Sequence, residues 1–389
     1  MKDPELNLLN KSKGQVRYGI DAESANKEER TGVENYARHL IQAMKQHPLQ
    51  EGERVLLYAP TILDDVLGEK PDGWSSQVLA WPLSRGWMKL RMGWEMLRRA
   101  PDVLFVPSQG LPGVVPKRVV TMIHDVGFAR APQLYDPSIR RRLKKVHKRA
   151  IKKATRLLVP SEATKQELMS LFKVPAEKIV VTPEAPDKQI YKKMERSEMQ
   201  SILQKHRLGT NFFLCVGRLE QKKNIVTLIK AFETFKSTRG HGDPFELVLV
   251  GTPGFGYAWI KKHIDLSVYK EQIKVLGYRS DEEVAVLMNA CTAFVFPTWY
   301  EGFGIPNLEA MACGAPLITS DIDPHREICG DAALFVSPKE PQSWARTMAQ
   351  IAREGSLRDE LSQKGLKHVE AFDWSKTAAQ TLEVLRSLV

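Results

Sequence analysis

The residues best suited to do chemistry lie in the run FVFPTWYEGFGIPNLEAMACGAPLI. An apolar strand is expected to end near Pro297, followed by the glycine loop EGFG and by a helix with Pro306 at its first position. Free N–H groups in such a loop and in the first helical turn favour an anion. A carboxylate repels phosphate, so Glu301 and Glu309, which we expect in the first turn of the helix, are better suited to accept hydrogen bonds from sugar hydroxyls. The alternative is a helix cap with a surface glutamate.

A second run, FLCVGRLEQKKNIVTLIKAF, carries cations directly after a predicted strand. Arg218, Lys222 and Lys223 precede Asn224, which stands near the start of an amphipathic helix. Arginine offers a planar set of donors and lysine a point charge, and this pair suits a diphosphate that must leave as an anion. Taken alone, these residues also fit a solvated charged loop. Both runs in one half of the chain favour the diphosphate site.

In that combination, the chain resembles family 4 of the GT-B glycosyltransferases, which are retaining enzymes that move a sugar from a nucleotide diphosphate donor. The resemblance extends from about Val16 to the end of the sequence and is most specific over residues 212–336. It implies two facing α/β domains and a front-face mechanism, in which the leaving phosphate helps to deprotonate the acceptor.

The same resemblance implies roles for individual residues. Arg218 and Lys223 would bind the donor diphosphate, Glu301 would lie by the transferred sugar, and Glu309 would hold the ribose hydroxyls. Two further groups complete the implied donor site: the loop amides and the base-binding stretch VLGYRSDEEVAVLMNACTAFVFP. Their residues are Gly302, Phe303, Gly304, Gly277 and Tyr278.

The first half of the chain matches the family pattern less closely. His124 and Asp125 follow an apolar strand, at the carboxyl edge where α/β sheets bind ligands. The resemblance implies that His124 touches the donor sugar, although a lone His-Asp pair is also compatible with a structural role. The loop ESANKEERTGVENYARHL matches the family's first glycine loop, with Gly32 as its donor-site glycine. Where many members have two adjacent glycines this chain has RTG, and where many have Pro-Asn-Gly it has PEAPD.

The sequence motifs that would indicate a metal or a cofactor site are incomplete. Asp321 and Asp323 have the DxD spacing that metal-dependent glycosyltransferases of another fold use, but Pro324 follows them, which indicates a loop and a helix start. The glycines of GTPGFGYAW lack the GxGxxG order of a nicotinamide site. We therefore expect no metal, and no cofactor other than the nucleotide sugar as substrate.

All of the net charge of +11 comes from residues 1–200, because the second half is neutral. A basic half suits an anionic partner. The segment RGWMKLRMGWEMLRR predicts an amphipathic helix with Trp87, Leu90, Trp94 and Leu97 on one face, and IRRRLKKVHKRAIKKATR is strongly basic. Such helices lie well on anionic membranes, although both also fit the outer layer of a sheet. The predicted membrane and acceptor side comprises Trp87, Lys89, Arg91, Trp94, Arg141 and Lys145.

The elements that must position these residues alternate along the whole chain. Short β-branched runs between amphipathic stretches are typical of parallel sheets with helical crossovers. Strands are expected at residues 16–21, 54–59, 103–106, 118–123, 156–159 and 178–182, and again at 212–217, 245–251, 273–277, 293–297, 316–320 and 333–336. The expected fold class is α/β, GT-B, with two Rossmann-like doubly wound domains facing a central cleft. We expect an acceptor-binding domain at 15–185, a linker at 186–209, a nucleotide-sugar domain at 210–373, and a helix at 374–389 that packs back on the first domain.

Composition sets the class of protein. The 389 residues are 43% hydrophobic and 26% charged, which is the balance of a globular protein with room for two domains. No stretch approaches the ~20 apolar residues of a spanning helix, and charges at the start argue against a signal peptide. Four cysteines without CxxC spacing fit reduced thiols. We expect a cytoplasmic protein, peripheral at the inner face of the membrane.

The predicted function is transfer of a hexose, with retention, to a glycan or lipid-linked acceptor in surface polysaccharide or glycolipid synthesis. The run SDIDPHREICGDAALFVSP is similar to that of bacterial mannosyltransferases and favours GDP-mannose, with UDP-glucose and UDP-N-acetylglucosamine as the alternatives. Other interpretations are a nucleotide-sugar epimerase of the same fold, a nucleic-acid-binding protein that uses the basic half, and a silent lectin-like module. The complete donor set speaks against the two non-enzymes, so no nucleic-acid partner is expected.

Overall fold

The computed structural model describes residues 14–28, 30–83, 85–240 and 242–389. Most of the charged segment considered for a signal peptide, residues 1–13, therefore lies outside the described residues. The chain divides into two units. In the described residues, the first comprises 14–126, 141–184 and 373–389, and the second comprises 127–140 and 185–372.

The first unit is built on a sheet that has seven parallel strands within the described residues, in the order β3-β2-β1-β4-β5-β6-β7. A parallel sheet is covered on both faces, which explains why its central strands are almost wholly apolar. The strands are β1 (Val16–Asp21), β2 (Glu53–Ala59), β3 (Trp74–Val78), β4 (Val103–Val106), β5 (Val119–Met122), β6 (Arg156–Val159) and β7 (Ile179–Val181).

Helices flank this sheet. They are Gly32–Lys45, Asp65–Gly68, Gly93–Arg99, Pro137–Lys153, Glu162–Phe172 and Trp374–Arg386, with a π-helix at Trp87–Met92 and a 3₁₀ turn at Ala176–Lys178. The unit boundary falls inside Pro137–Lys153. Helix Gly32–Lys45 begins with a capping box between Thr31 and Glu34.

The last helix belongs to the core of the first unit. Its Ala378, Leu382 and Leu385 are buried in the same apolar cluster as Leu40 of helix Gly32–Lys45. At its end, Arg386 forms an ion pair with Glu53, with 2.8 Å between Nη2 and Oε2.

The second unit contains a parallel sheet with six strands among the described residues, ordered β10-β9-β8-β11-β12-β13. The strands are β8 (Phe212–Val216), β9 (Glu246–Val250), β10 (Ile273–Gly277), β11 (Ala293–Phe296), β12 (Leu317–Ser320) and β13 (Leu334–Val336). The helices are Gly127–Arg130, Arg196–Lys205, Ile225–Ser237, Tyr257–Leu266, Asp281–Ala290, Ile305–Ala312, Asp323–Cys329, Pro341–Arg353 and Gly355–Val369, with 3₁₀ turns at Pro132–Leu134, Gln221–Lys223 and Lys270–Gln272.

Alternate residues of β8 enter two different cores, as the pleat of a strand requires. Phe212 and Leu214 join the apolar cluster on one face of the sheet. Phe213 joins the other, where its ring lies 5.2 Å from Phe235 and 5.3 Å from Phe245.

The two doubly wound parallel sheets confirm the predicted Rossmann-like architecture, and all twelve predicted strands are present. β3 was not predicted. Its sequence WSSQV is largely polar because it is an edge strand and only partly buried. Among the described residues, no helix is long and apolar enough to cross a membrane.

Candidate active site

The predicted donor residues gather where the second sheet reverses its strand order, between β8 and β11. In open α/β sheets, ligands bind beyond the carboxyl ends of strands at such a switch point. The loop after β8 carries Arg218 and Lys223, and the loop after β11 carries Glu301. The sheet therefore brings two segments, 78 residues apart in sequence, to one edge.

Glycines allow the loops after β8 and β9 to pack against each other. Gly251 has φ +142°, and a Cβ on it would lie 2.1 Å from the carbonyl oxygen of Gly217. A Cβ on Gly254 would lie 3.1 Å from Nε of Arg218, so the arginine side chain lies along this glycine loop. Within the part of the chain that the structure describes, the exposed guanidinium of Arg218 has no hydrogen-bond or ion-pair partner. It is available to bind an anion.

Glu301 is held by two lysines and a hydroxyl. Its Oε1 lies 2.6 Å from Nζ of Lys223 and accepts a hydrogen bond of 3.1 Å from Oγ1 of Thr298. Nζ of Lys222 lies 3.9 Å from Oε2. Burial opposes ionisation of Glu301, but the ammonium groups of Lys222 and Lys223 outweigh it and lower its pKa to about 2. The carboxylate is therefore charged at neutral pH and acts as an acceptor.

A buried polar cluster packs against the glycine loop at Gly304. Gly304 has φ +99°, and a Cβ on it would lie 2.9 Å from Nε2 of His325 and 3.1 Å from Nδ2 of Asn307. Oγ1 of Thr319 lies 2.8 Å from Nδ1 of His325 and 3.3 Å from Oδ1 of Asn307. Burial lowers the pKa of His325 to about 4, so its imidazole is neutral. Only glycine fits at position 304.

The helix after this loop begins one residue earlier than predicted. Ile305 is its first residue and Pro306 its second, because the left-handed Gly304 is the N-cap. Glu309 is consequently the fifth residue and lies in the second turn, so its predicted place in the first turn was wrong. Burial raises the pKa of Tyr191, and the charge of Glu309 raises it further, which places that carboxylate near Tyr191.

The predicted base-binding residues lie at the end of β10, two strands from β8 in the sheet: Gly277 is the last residue of the strand and Tyr278 follows it. Gly277 has φ +72°, and its carbonyl oxygen accepts a 2.9 Å hydrogen bond from the N–H of Gly251. The ring of Tyr278 is exposed. The loops after β8, β9 and β10 thus form one continuous edge.

In the first unit, His124 follows β5 and is engaged at both ring nitrogens. Nε2 lies 3.1 Å from the carbonyl oxygen of Pro107, and Nδ1 lies 3.2 Å from Oε1 of Glu184. Both partners are acceptors, so both hydrogen bonds form only when each nitrogen carries a proton. Tyr36 packs edge-on against the imidazole at 4.8 Å. Glu184 lies in the segment PEAPD, which departs from the family pattern.

Gly32 is the first residue of helix Gly32–Lys45 and is exposed. A Cβ on it would meet nothing within 4 Å, so packing within the first unit does not require a glycine there. Glu34 of the same turn is held by Lys27 at 3.0 Å.

The structure corrects the predicted membrane face. Trp87 is only 4% exposed, and its indole N–H donates to the carbonyl oxygen of Leu79 at 2.8 Å, so it cannot face a membrane. The π-helix that contains Trp87 has a longer repeat than an α-helix, which turns this residue away from Leu90 and Trp94. Arg91 pairs with Glu95 at 3.0 Å. Of the basic residues predicted for this face, Lys89, Arg141 and Lys145 are exposed.

Asp321 and Asp323 form the loop and helix start that the sequence indicates. Asp321 accepts two hydrogen bonds from Arg326, from Nε at 2.5 Å and Nη2 at 2.7 Å, and Asp323 opens helix Asp323–Cys329. Across the described ranges, no group of three or more His, Cys, Asp or Glu side chains could hold a metal ion.

Some residues around the site were not predicted. Thr298, Asn307 and His325 surround Glu301 and Gly304, and Glu184 holds His124. The departure PEAPD was the sequence signal for Glu184. No comparable signal identified the other three.

Two doubly wound parallel-sheet units, with lysines and a carboxylate at the switch point of the second, are typical of GT-B transferases. The family models agree: "Glycosyltransferase Family 4" matches residues 30–189, and "Glycosyl transferases group 1" matches residues 198–368. The chain therefore contains a glycosyltransferase domain of each of these two families, and the two domains together span most of its length.

Relatives and solved structures are consistent with these two domains. O-antigen chain mannosyltransferase B of Escherichia coli is 29% identical over 300 residues, which cover 77% of each chain. The serotype-specific mannosyltransferase WbdA of Escherichia coli is 26% identical over 72% of this chain, and that match spans only 36% of WbdA. The crystal structure of Anabaena HepE in complex with UDP-glucose has a TM-score of 0.73 and 18% identity, covering 96% of this chain and 100% of the other, which shows the shared fold.

Proposed function

We propose that the protein is a retaining, metal-independent hexosyltransferase that moves mannose from GDP-mannose to a glycan or lipid-linked acceptor in surface polysaccharide synthesis. The observation that carries the proposal is the pairing of Lys223 with Glu301 at the switch point of a group 1 domain. The loop of Lys223 also carries Arg218, whose guanidinium has no partner among the described residues. The O-antigen mannosyltransferases among the relatives support the choice of sugar and of product class.

In the proposed reaction, the bond between the anomeric carbon and the β-phosphate oxygen breaks. Arg218 and Lys223 stabilise the negative charge that develops on the leaving diphosphate. That phosphate takes the proton of the acceptor hydroxyl, which attacks from the same face and so retains the configuration. Glu301, ionised and unable to donate a proton, accepts hydrogen bonds from the hexose hydroxyls, and Glu309 does so from the ribose.

A UDP-hexose is the second candidate donor. The HepE complex contains UDP-glucose, and the phosphate and ribose contacts proposed here do not depend on the base. The base would contact the loop after β10, where Gly277 leaves room and Tyr278 offers an exposed ring. A thermal-shift panel with GDP, UDP, ADP and dTDP, each with and without EDTA, tests donor and metal dependence together, because a ligand of the folded state raises its stability.

A shift with GDP that survives EDTA supports the proposal, and a shift with UDP alone replaces mannose by the second candidate. Loss of every shift in EDTA contradicts metal independence. NMR of the product reads the anomeric configuration, and an inverted centre would exclude the front-face reaction. Turnover of the donor without any acceptor would instead indicate an epimerase.

We further propose that the first unit contacts an anionic membrane. Leu90, Trp94 and Leu97 are 55%, 53% and 63% exposed, and Arg98 stacks on Trp94 at 5.4 Å. The loop at Gly113 joins this surface to the basic helix Pro137–Lys153. The backbone N–H of Gly113 donates a hydrogen bond to the carbonyl oxygen of Lys89. The carbonyl oxygen of Gly113 accepts one of 2.8 Å from the guanidinium of Arg149. Exposed apolar side chains beside a basic helix suit an anionic lipid surface.

A further inference from the structure

A cavity of about 280 Å³ lies in the second unit, outside the proposed diphosphate contacts. Two indoles line it, from Trp259 and Trp299, and Ile225 and Ile260 add apolar wall. Gln221 and Thr227 supply polar groups at the same cavity. Trp259 is exposed and Trp299 half-buried, so the indoles are accessible to a ligand. We call it the tryptophan pocket.

The chemistry of its walls selects the ligand. Among the described residues that line the tryptophan pocket, none carries a charge, although 26% of the chain is charged. A phosphate or a carboxylate would find no counter-charge among these lining residues. Indole faces pack well on the C–H face of a pyranose, and side-chain amides and hydroxyls bind its hydroxyl edge. A neutral hexose unit fits this combination.

The pocket is preformed. The ring of Trp259 is held by His263, edge-on at 4.5 Å, and by the ammonium of Lys262 at 5.5 Å. The backbone N–H of Trp299 donates to the carbonyl oxygen of Lys222 at 2.9 Å. Gly256, with φ +82°, keeps the wall open, since a Cβ there would lie 3.2 Å from that of Gln221. A ligand would therefore bind without ordering these side chains first.

One turn connects the pocket to the proposed donor site. In the sequence Gln221-Lys222-Lys223-Asn224, the two lysines reach Glu301, while Gln221 and Asn224 line the pocket. A hexose in the pocket would lie a single backbone turn from the diphosphate contacts. We infer that the tryptophan pocket binds a neutral hexose unit of the glycan being extended. The assignment to an acceptor glycan rests on the proposed function, but hexose binding itself does not.

Saturation-transfer NMR on the full-length protein tests this, with methyl α-D-mannopyranoside and α-linked mannotriose as probes. Trp259→Ala and Trp299→Ala each remove one indole. Leu266→Ala is the matched control, because Leu266 is 73% exposed on the helix of Trp259 and does not line the pocket. We expect both probes to bind the wild type and the control. We expect at least tenfold weaker binding to either tryptophan variant, with unchanged melting temperature.

Equal binding by the tryptophan variants, no binding to the wild type, or displacement of the saccharide by guanosine would each overturn the inference. The nucleotide thermal-shift panel, repeated on the same variants, separates the two proposals. A retained nucleotide shift with lost saccharide binding supports both. Saccharide binding that depends on the indoles, in a protein that responds to no nucleotide, refutes the proposed donor site and leaves the hexose pocket standing.

Discussion

Oε1 of Glu184 lies 3.2 Å from Nδ1 of His124, and both side chains are largely buried. Because Nε2 of the same ring faces the carbonyl oxygen of Pro107, the two acceptors together fix the orientation of the imidazole. Glu184 is thus a positioning residue for His124.

Replacing Glu184 by glutamine keeps the shape of the side chain and removes its charge. We expect kcat to fall about tenfold, because Nδ1 of the ring loses its carboxylate partner, with KM for the nucleotide sugar changed less than about twofold. A loss of kcat at nearly constant KM is a result that a structural role alone would not produce. Glu177→Gln, at an exposed acid of the same unit, is the control. An unchanged kcat, or a kcat and a KM that change together, would refute the positioning role.

Lys223 and Glu301 form an ion pair but carry opposite charges, so replacing one or the other leads to different expectations. Lys223→Ala should lower kcat/KM by roughly 10²–10³-fold, because a donor to the leaving diphosphate is lost. Glu301→Gln should also lower transfer, yet tighten binding of the free nucleoside diphosphate, since it removes a negative charge beside the anion. Steady-state kinetics and isothermal titration with GDP and UDP measure both.

The control for these variants is Lys261→Ala, which removes a lysine from an exposed pair with Asp265. It should leave transfer and nucleotide affinity unchanged. Weaker binding of free nucleoside diphosphate by Glu301→Gln would show that Glu301 does not face the phosphates.

Asp21 makes the stability of the first unit depend on pH. Burial, reinforced by the charge of Glu23, raises the pKa of Asp21 to about 7. A carboxyl in an unfolded chain titrates near 4, so the folded state holds the extra proton between about pH 4 and pH 7. Stability contributed by this group therefore falls as pH rises through that window.

Asp21→Asn should abolish that loss, since the amide cannot ionise and can still accept the 3.0 Å hydrogen bond from the N–H of Glu23. We expect the variant to melt a few degrees higher than the wild type at pH 8 and to show no gain at pH 4. Thermal unfolding from pH 4 to pH 8 measures the difference, with the exposed Asp72→Asn as control. A gain of equal size at every pH would contradict the assignment.

Leu382 tests the contribution of the last helix. It is buried in the core of the first unit, so Leu382→Ala should cost about 2–5 kcal/mol of the free energy of unfolding of that unit. Hydrogen exchange should accelerate in helix Gly32–Lys45, which packs on it. Glu383→Ala, at an exposed neighbour, should change neither quantity. Unaltered exchange at Gly32–Lys45 in the leucine variant would contradict the packing.

Membrane contact is tested at Trp94 and Leu97. The double change Trp94→Ser and Leu97→Ser should weaken sedimentation with vesicles of phosphatidylglycerol at least fivefold, because it removes exposed apolar area beside the basic residues. Ile62→Ser is the control, since Ile62 is 82% exposed elsewhere in the first unit. Equal loss in the control, or no binding by the wild type, would refute the membrane proposal.

Sequence patterns predicted the strands well where burial of apolar residues dominates. Central strands such as β4, β5, β11 and β12 are short apolar runs that are buried along their whole length, and each was recognisable from that property. The edge strand β3 has no such run. Trp87 was misplaced because its spacing from Leu90 and Trp94 was interpreted with an α-helical period, whereas the backbone there is a π-helix.

The site was predictable to the extent that it depends on sequence order. Arg218, Lys223 and Glu301 each follow a strand, and the carboxyl ends of parallel strands share an edge. His325 and Thr319 could not be placed in this way. Thr319 contacts His325 and Asn307, the two residues that lie against Gly304. Its place depends on the register of β11 and β12, in which it pairs with Phe296, and such pairing between strands is not encoded locally.

The position of the last helix has a consequence for biosynthesis. Leu382 and Leu385 complete the core of the first unit, although they follow the second unit in the chain. A ribosome releases every residue from Ala185 to Phe372 before it releases them. The second unit can therefore finish folding while the first still lacks part of its interior, which reverses the usual order in which domains fold from the N-terminus.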